Sequence, residues 1–266
     1  MDGGFPACDA REVAVLAGVS TDYYARLEQG RTRQVGRPVL EAVAAALRLG
    51  EVEREYLLAL VEAQNGPRQR TRGPRPVVHP GALRLLDSFD HAAALVLGRG
   101  TSLLAMNATA RALLFDPDEH PAVRHNLALW RFLDPEARQR YASWEAVAYD
   151  TAATLRRDAV EDPDDPELRA VLSELGAKSE DFARMWREHR VYDCAYGTKD
   201  LVHPLVGELY LDYIALGVPR APGQRLHVYT AAPGSPSEDR LRRLAAWARP
   251  DATVDHFTSD RHHHPT

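Results

Sequence analysis

Residues 65–76 read Asn-Gly-Pro-Arg-Gln-Arg-Thr-Arg-Gly-Pro-Arg-Pro, and no regular element survives that run. Pro67, Pro74 and Pro76 each remove a backbone donor, Gly66 and Gly73 loosen the chain, and no apolar residue anchors it to a core. A break of this kind inside 266 residues divides the chain into two small cores. The boundaries read as a first domain over 1–64, a basic linker over 65–80, a second domain over 81–250 and a polar tail over 251–266. Arg68, Arg70, Arg72 and Arg75 read as a solvated linker face, with contact to a DNA backbone or minor groove as the alternative.

The first domain is helical. Asp9 is placed to cap a helix, with Glu12 three residues on to complete a capping box. Val13, Ala14, Leu16 and Ala17 supply its apolar face, and Ala14 is small enough for a second helix to cross closely. Gly18 stands where a sharp turn needs positive φ. Ser20 caps the next helix, Val19, Tyr24 and Leu27 point inward, and Gly30 ends it. Further helices fall over 38–49, with Val39, Leu40, Val43, Ala46 and Leu47 on one face, and over 51–64.

Thr21, Asp22, Ala25, Arg26 and Gln29 are left on the outer face of the second helix. That layout suits a helix-turn-helix whose second helix enters the major groove of double-stranded DNA. Thr21 can bond either groove edge, Gln29 suits adenine, and Asp22 can accept from cytosine. Arg26, Arg31, Arg33 and Arg37 would hold phosphates, and Ser20 and Tyr23 complete the candidate DNA-binding set. Spacing alone equally fits an ordinary helical hairpin with a solvated charged face.

The run Ala17-Gly18-Val19-Ser20-Thr21-Asp22-Tyr23-Tyr24-Ala25-Arg26-Leu27-Glu28-Gln29-Gly30-Arg31 resembles the second and third helices of XRE (Cro/lambda-repressor-like) regulators, within the branch that carries an MmyB-like ligand-binding domain. The resemblance implies a homodimer on operator DNA. Such domains have a further helix before the motif, whereas residues 1–9 here are too rich in glycine and proline to supply one. Two readings stay open: translation from an upstream start, or a shortened domain that has lost DNA binding and leaves an effector-binding or interaction module.

The second domain alternates element types. Helical character over 83–86 is followed by strands over 92–97 and 103–106, then by a short helix through Leu114 capped by Asn107. Asp134-Pro135 opens a helix containing Tyr141, Trp144, Val147 and Leu155. Asp165-Pro166 opens one that Gly176 ends, and Ser179 opens one containing Phe182, Met185 and Trp186. Strands return over 192–196, 205–216 and 226–230. In the middle one Leu209, Leu211 and Tyr213 face one way, and Glu208, Tyr210 and Asp212 the other. Ser235-Pro236-Ser237-Glu238 caps a closing helix with Leu241, Leu244 and Ala248 toward the sheet.

The fold class is therefore an all-α helix-turn-helix domain followed by an α+β domain, an antiparallel sheet with helices over one face. The order of elements is that of a PAS-like domain, though a generic α+β domain shares it. Leu133-Asp134-Pro135-Glu136-Ala137-Arg138, Asp162-Pro163-Asp164-Asp165-Pro166, His203-Pro204-Leu205-Val206-Gly207-Glu208-Leu209 and the run from Val228 to Ser237 resemble MmyB-type ligand-binding domains, as does Phe182 with Trp186 and His189. The resemblance spans roughly residues 10–248 and implies a PAS-like pocket for a small apolar effector such as a fatty acid. Met106 departs from it, since relatives carry Trp before the Asn.

The candidate ligand-binding residues are Trp130, Phe132, Trp144, Phe182, Trp186, Tyr213 and Tyr229, with His189, His203 and Arg190 as anchors for a polar head. Each aromatic equally fits plain core packing, and His203 equally fits a local backbone cap. No H-E-x-x-H, phosphate loop or nucleophile elbow is present, so no catalytic residue, metal site or resident cofactor is expected. Cys8 and Cys194 are too few for a disulfide framework, and the histidines at 262–264 sit in the polar tail.

The net charge of −5 is segregated. Residues 26–37 carry four Arg against one Glu, whereas residues 150–181 carry ten acids against four bases. No apolar run has the length of a membrane span or signal-peptide core, so a cytoplasmic protein is expected.

Overall fold

The computed structural model describes residues 9–32, 35–65, 77–123, 125–188, 195–248 and 255–256. Apart from residues 160–162, which cluster with the first, the chain divides between residues 71 and 72 into two compact units.

Among the described residues, the first unit holds four helices: α1 (Ala10–Leu16), α2 (Thr21–Glu28), α3 (Arg37–Ala46) and α4 (Glu51–Asn65). Asp9 accepts from the Arg11 amide at 3.0 Å to start α1, and Ser20 accepts from the Tyr23 amide at 3.2 Å to start α2. Gly18 and Gly30 turn the chain at φ 69° and 65°, conformations open to glycine. Val13, Ala14, Ala17, Tyr24 and Val43 make one small core; Val35, Leu40 and Val61 make another. Leu16 does not join the apolar face expected of it and is 65% exposed. At about 100° per residue, the stripe centred on Val13, Ala14 and Ala17 leaves Leu16 on its flank.

The second unit is built on an antiparallel sheet of order β3-β4-β5-β1-β2-β6. Its strands are β1 (Ala93–Leu97), β2 (Leu103–Met106), β3 (Tyr196–His203), β4 (Gly207–Gly217), β5 (Arg225–Thr230) and β6 (Asp255–His256). Ala93, Leu95, Leu97, Leu201, Leu209, Leu211, Tyr213 and Tyr229 point into the main core. That side is covered by α6 (Ala108–Leu113), α7 (Leu127–Leu133), α8 (Pro135–Arg140), α9 (Trp144–Glu161), α10 (Pro166–Lys178), α11 (Glu180–Arg187) and α12 (Pro236–Trp247). Met106, the departure from the family pattern, is fully buried there.

Helices were expected on one face only, yet α5 (Pro80–Asp87) covers the other. Its Ala82 and Leu86, with Val78 ahead of the helix, bury Ala94 and Val96 of β1 and Leu226 and Val228 of β5. β1 is therefore apolar on both faces, β5 turns Arg225 and His227 to the other side, and β3 and β4 keep the alternation of a half-solvated sheet. On β4, Leu209, Leu211 and Tyr213 are buried while Glu208, Tyr210 and Asp212 are exposed, as the period-two pattern predicts.

Three boundaries differ from the sequence reading. The helix expected from Asp134-Pro135 through Leu155 is two helices. Tyr141 leaves α8 in extended conformation to bridge Leu201, and the Ala142 amide donates to the Asp200 carbonyl at 2.9 Å. Gly176 does not end α10, which runs on to Lys178 because Leu175 is fully buried and Ser179 caps the next helix. A strand was read over 192–196, but β3 begins at Tyr196 and continues to His203; residues 192–194 lie outside the described residues.

Candidate functional site

On α2, Thr21, Asp22, Arg26 and Gln29 are exposed, Tyr23 is half-buried, and Ser20 is spent on the cap. Tyr24, on the opposite face, is buried and fixes which side of α2 looks outward. Arg26 Nη2 lies 2.6 Å from Asp22 Oδ2, an exposed i,i+4 pair. Such a pair contributes about 0.3–0.5 kcal/mol, so a phosphate can draw Arg26 away at little cost. Arg31 is exposed just past Gly30, and Arg37 lies 3.4 Å from Glu41. Arg33 lies outside the described residues.

In the second unit the predicted aromatics fall into three groups. Phe132, Trp144, Phe182 and Trp186 form one cluster between α7, α9 and α11. Phe182 meets Phe132 edge-on at 5.2 Å and stacks on Trp186 at 5.3 Å. Trp130 stacks on Phe115 at 4.6 Å, and Tyr213 stacks on Tyr229 across β4 and β5 at 6.0 Å. The Trp144 indole donates to the Arg131 carbonyl at 2.8 Å, which ties α9 to α7.

Between these groups lies a polar interior. Arg131 is buried on α7; its guanidinium donates to Thr151 Oγ1 at 2.9 Å and Tyr141 Oη at 3.3 Å, and also bonds the Tyr229 hydroxyl. Lys199 on β3 pairs with Asp150 on α9 and sits 4.6 Å over the Tyr213 ring. Asp158 on α9, fully buried, pairs with Arg225 on β5 and accepts from the Gly100 amide at 2.9 Å. Gly100 can make that approach because it adopts φ 61°, and its carbonyl accepts from Asn126 at 2.8 Å.

Both units match known families. Residues 8–57 match a helix-turn-helix domain, and residues 78–244 match the MmyB-like transcription regulator ligand binding domain. The chain belongs to the MmyB-like transcription regulators. Comparison with curated proteins found no match. This MmyB-like regulator is thus a DNA-binding transcription regulator with a ligand-binding domain, and neither matched family is an enzyme family. Among the described residues, no helix is long and apolar enough to cross a membrane.

Of the anchors named from sequence, His189 and Arg190 lie outside the described residues. His203 is buried with both ring nitrogens engaged, Nε2 to the Ala112 carbonyl at 2.9 Å and Nδ1 to the Leu205 amide at 3.2 Å. Its place is in the scaffold joining β3 to α6. His120, Asp134 and Glu136 bring ligand atoms within 4.8 Å of one another. Glu136 is already paired with Arg140 and Asp134 caps α8, so that cluster is a helix-start lock in the MmyB-like domain.

Sequence reasoning missed Arg131, Thr151, Lys199, Asp158, Arg225 and His227. One signal was available: a lone cation inside the apolar run of α7, every other residue of which is hydrophobic. A second was Arg225, His227 and Tyr229 recurring at period two on β5, the alternation that puts them on one face.

His227 is pushed down to about 3, by burial first and then by the charges of Arg131, Arg225 and Lys199. His203 is also held below its ordinary 6.5, by burial and the charge of Arg140. Both are neutral when folded and protonate more readily when unfolded. Their contribution to stability is complete above pH 6.5 and falls as pH drops through 6.5 toward the folded value. For His227 that loss should approach about 1.4 kcal/mol per pH unit between 6.5 and its folded value. Urea unfolding at pH 7 and pH 5 should show the loss, and His227→Gln should flatten it. An unchanged slope in the variant would contradict this account.

Proposed function

We propose that this regulator binds operator DNA sequence-specifically as a homodimer, and that its second domain senses a small, apolar, fatty-acid-like effector. The observation that carries the reading is the pairing, in one chain, of a helix-turn-helix match with a ligand-binding-domain match. The solvent-facing row Thr21, Asp22, Arg26 and Gln29 on α2 supports base readout. The aromatic walls around Arg131, Tyr141 and Tyr229 support a ligand with an apolar body.

A two-fold dimer would read half-sites about 34–36 Å apart or a multiple of that. The effector acts only if its affinity differs between DNA-competent and DNA-incompetent arrangements. A coupling of about 1–3 kcal/mol would shift operator affinity roughly 5–150-fold.

The test is fluorescence anisotropy of the full chain on duplex from its own upstream region, with a random duplex as control and two salt concentrations. Preferential, salt-sensitive binding is expected. Arg31→Ala should weaken both duplexes alike and flatten the log–log salt slope by about one unit. Thr21→Ala or Gln29→Ala should reduce preference for the specific duplex while sparing the random one. Equal losses on both duplexes from all three variants would overturn the assigned roles.

A further inference from the structure

The outer face of α2 carries a charge that DNA would repel. The Asp22 side chain is 79% exposed, in the solvent-facing row with Thr21, Arg26 and Gln29 and on the side away from the buried Tyr24. Affinity for any duplex rests largely on neutralising phosphates, so an acid on a groove-facing helix weakens binding to every sequence alike. A carboxylate in that row needs a use other than phosphate binding.

Asp22 meets Arg26 at two places. Its Oδ2 lies 2.6 Å from Arg26 Nη2, and its backbone carbonyl accepts from Arg26 Nε at 3.4 Å. Residues four apart are neighbours on one helix face, about 6 Å apart along the axis. Arg26 is thus folded back along α2 toward its N-terminal end, the end of a recognition helix that meets base edges. Asp22 takes the Nε–Nη2 side of the guanidinium and leaves the Nη1–Nη2 end, with its two parallel N–H donors. Guanine is the base whose major-groove edge offers two adjacent acceptors, O6 and N7, and a bidentate arginine is their commonest partner.

The pair is exposed and weak, so its effect is on direction rather than on stability. Holding a long side chain near one geometry reduces the freedom it loses on docking. Arg37 shows the contrast. Its partner Glu41, at 3.4 Å, also meets Arg54 at 3.5 Å, so that contact ties α3 to α4.

We infer that Arg26 reads a guanine in the operator, one per half-site, and that Asp22 is the residue that positions its guanidinium. The inference rests on the DNA-reading proposal above and deepens it, moving Arg26 from the phosphate contacts to the base contacts.

Selection of duplexes from a randomised library by the full chain tests this, followed by anisotropy on the selected site and on that site with the guanine replaced. The wild-type chain should select one invariant guanine per half-site, and replacing it should weaken binding roughly 5- to 150-fold. Arg26→Gln should select adenine at that position, because glutamine matches adenine N6 and N7. Asp22→Asn should lose the guanine preference at the same position yet bind random duplex more tightly, since an acid has left the groove face. Asp22→Glu, which still pairs at i,i+4, should keep guanine. Both side chains are exposed, so the variants keep the fold. An unchanged motif in Arg26→Gln, with affinity lowered on all duplexes, makes Arg26 a phosphate contact; that overturns the inference and leaves sequence-specific binding intact. Loss at a different position in Asp22→Asn gives Asp22 a base of its own and overturns its positioning role. A wild-type chain that selects no motif overturns the DNA-reading proposal and this inference with it.

Discussion

Asp158→Ala is expected to cost about 3–5 kcal/mol of unfolding free energy in the second unit, the range for removing one member of a buried ion pair. The Asp158 carboxylate is fully buried and serves two partners, the Arg225 guanidinium and the Gly100 amide at 2.9 Å. Alanine takes the carboxylate from both: a largely buried cation on β5, and a backbone donor in the turn between β1 and β2. It also unsettles Asn126, which donates to the Gly100 carbonyl at 2.8 Å while capping α7 through the amides of Ala128 and Leu129. Urea unfolding followed by tryptophan fluorescence reports this unit alone, because Trp130, Trp144, Trp186 and Trp247 all lie within it. The expected thermal shift is on the order of 10 °C. Asp158→Asn, which keeps the shape and one acceptor, should lose less. A loss below about 1 kcal/mol in the alanine variant would mean that Arg225 finds water or another carboxylate, and the latch would not exist as described.

Phe182→Ala is expected to cost about 3–5 kcal/mol in the ligand-free protein, the usual range for truncating a buried phenylalanine. Phe182 is 2% exposed and is held edge-on by Phe132 and face-on by Trp186. It is also the residue through which α11 reaches α7. The measurement separates two roles. A ring that packs the core carries its full weight without any ligand, whereas a ring lining an open pocket leaves little new void when cut back. Phe182→Leu should recover more than half of the loss. If Phe182→Ala costs under 1 kcal/mol in the free protein, the ring borders open space and its place is with the effector.

The elements with strong end signals were legible. Ser20, Asn107, Asp165, Ser179 and Ser235 each cap the helix read from them, since a side-chain oxygen bonding the first amides is a purely local event. The faces of β4 were legible because strand alternation needs no partner. The helix expected through Leu155 failed because Tyr141 answers to Leu201, some sixty residues away. β3 was misplaced because a run such as Gly197-Thr198-Lys199-Asp200 has no intrinsic strand character; pairing with Tyr213, Asp212, Leu211 and Tyr210 makes it one. The site divided in the same way. The outward row of α2 follows from a single helix and its buried Tyr24, and it could be named from spacing. The interior cluster draws Arg131 from α7, Tyr141 from beyond α8, Thr151 from α9 and Tyr229 from β5, and no window of sequence contains it.

The sequence by itself determined the helix-turn-helix with its turning glycines, the antiparallel α+β class of the second unit and membership of the regulator family. These rest on caps, breakers and periodicity, which act over a few residues. Only the tertiary structure decided that α5 closes the second face of the sheet, that His203 serves the scaffold, and that Arg131 is buried with hydroxyls for company. Burial and charge pairing depend on what the fold brings within a few ångströms, and the chain's local chemistry does not encode that distance.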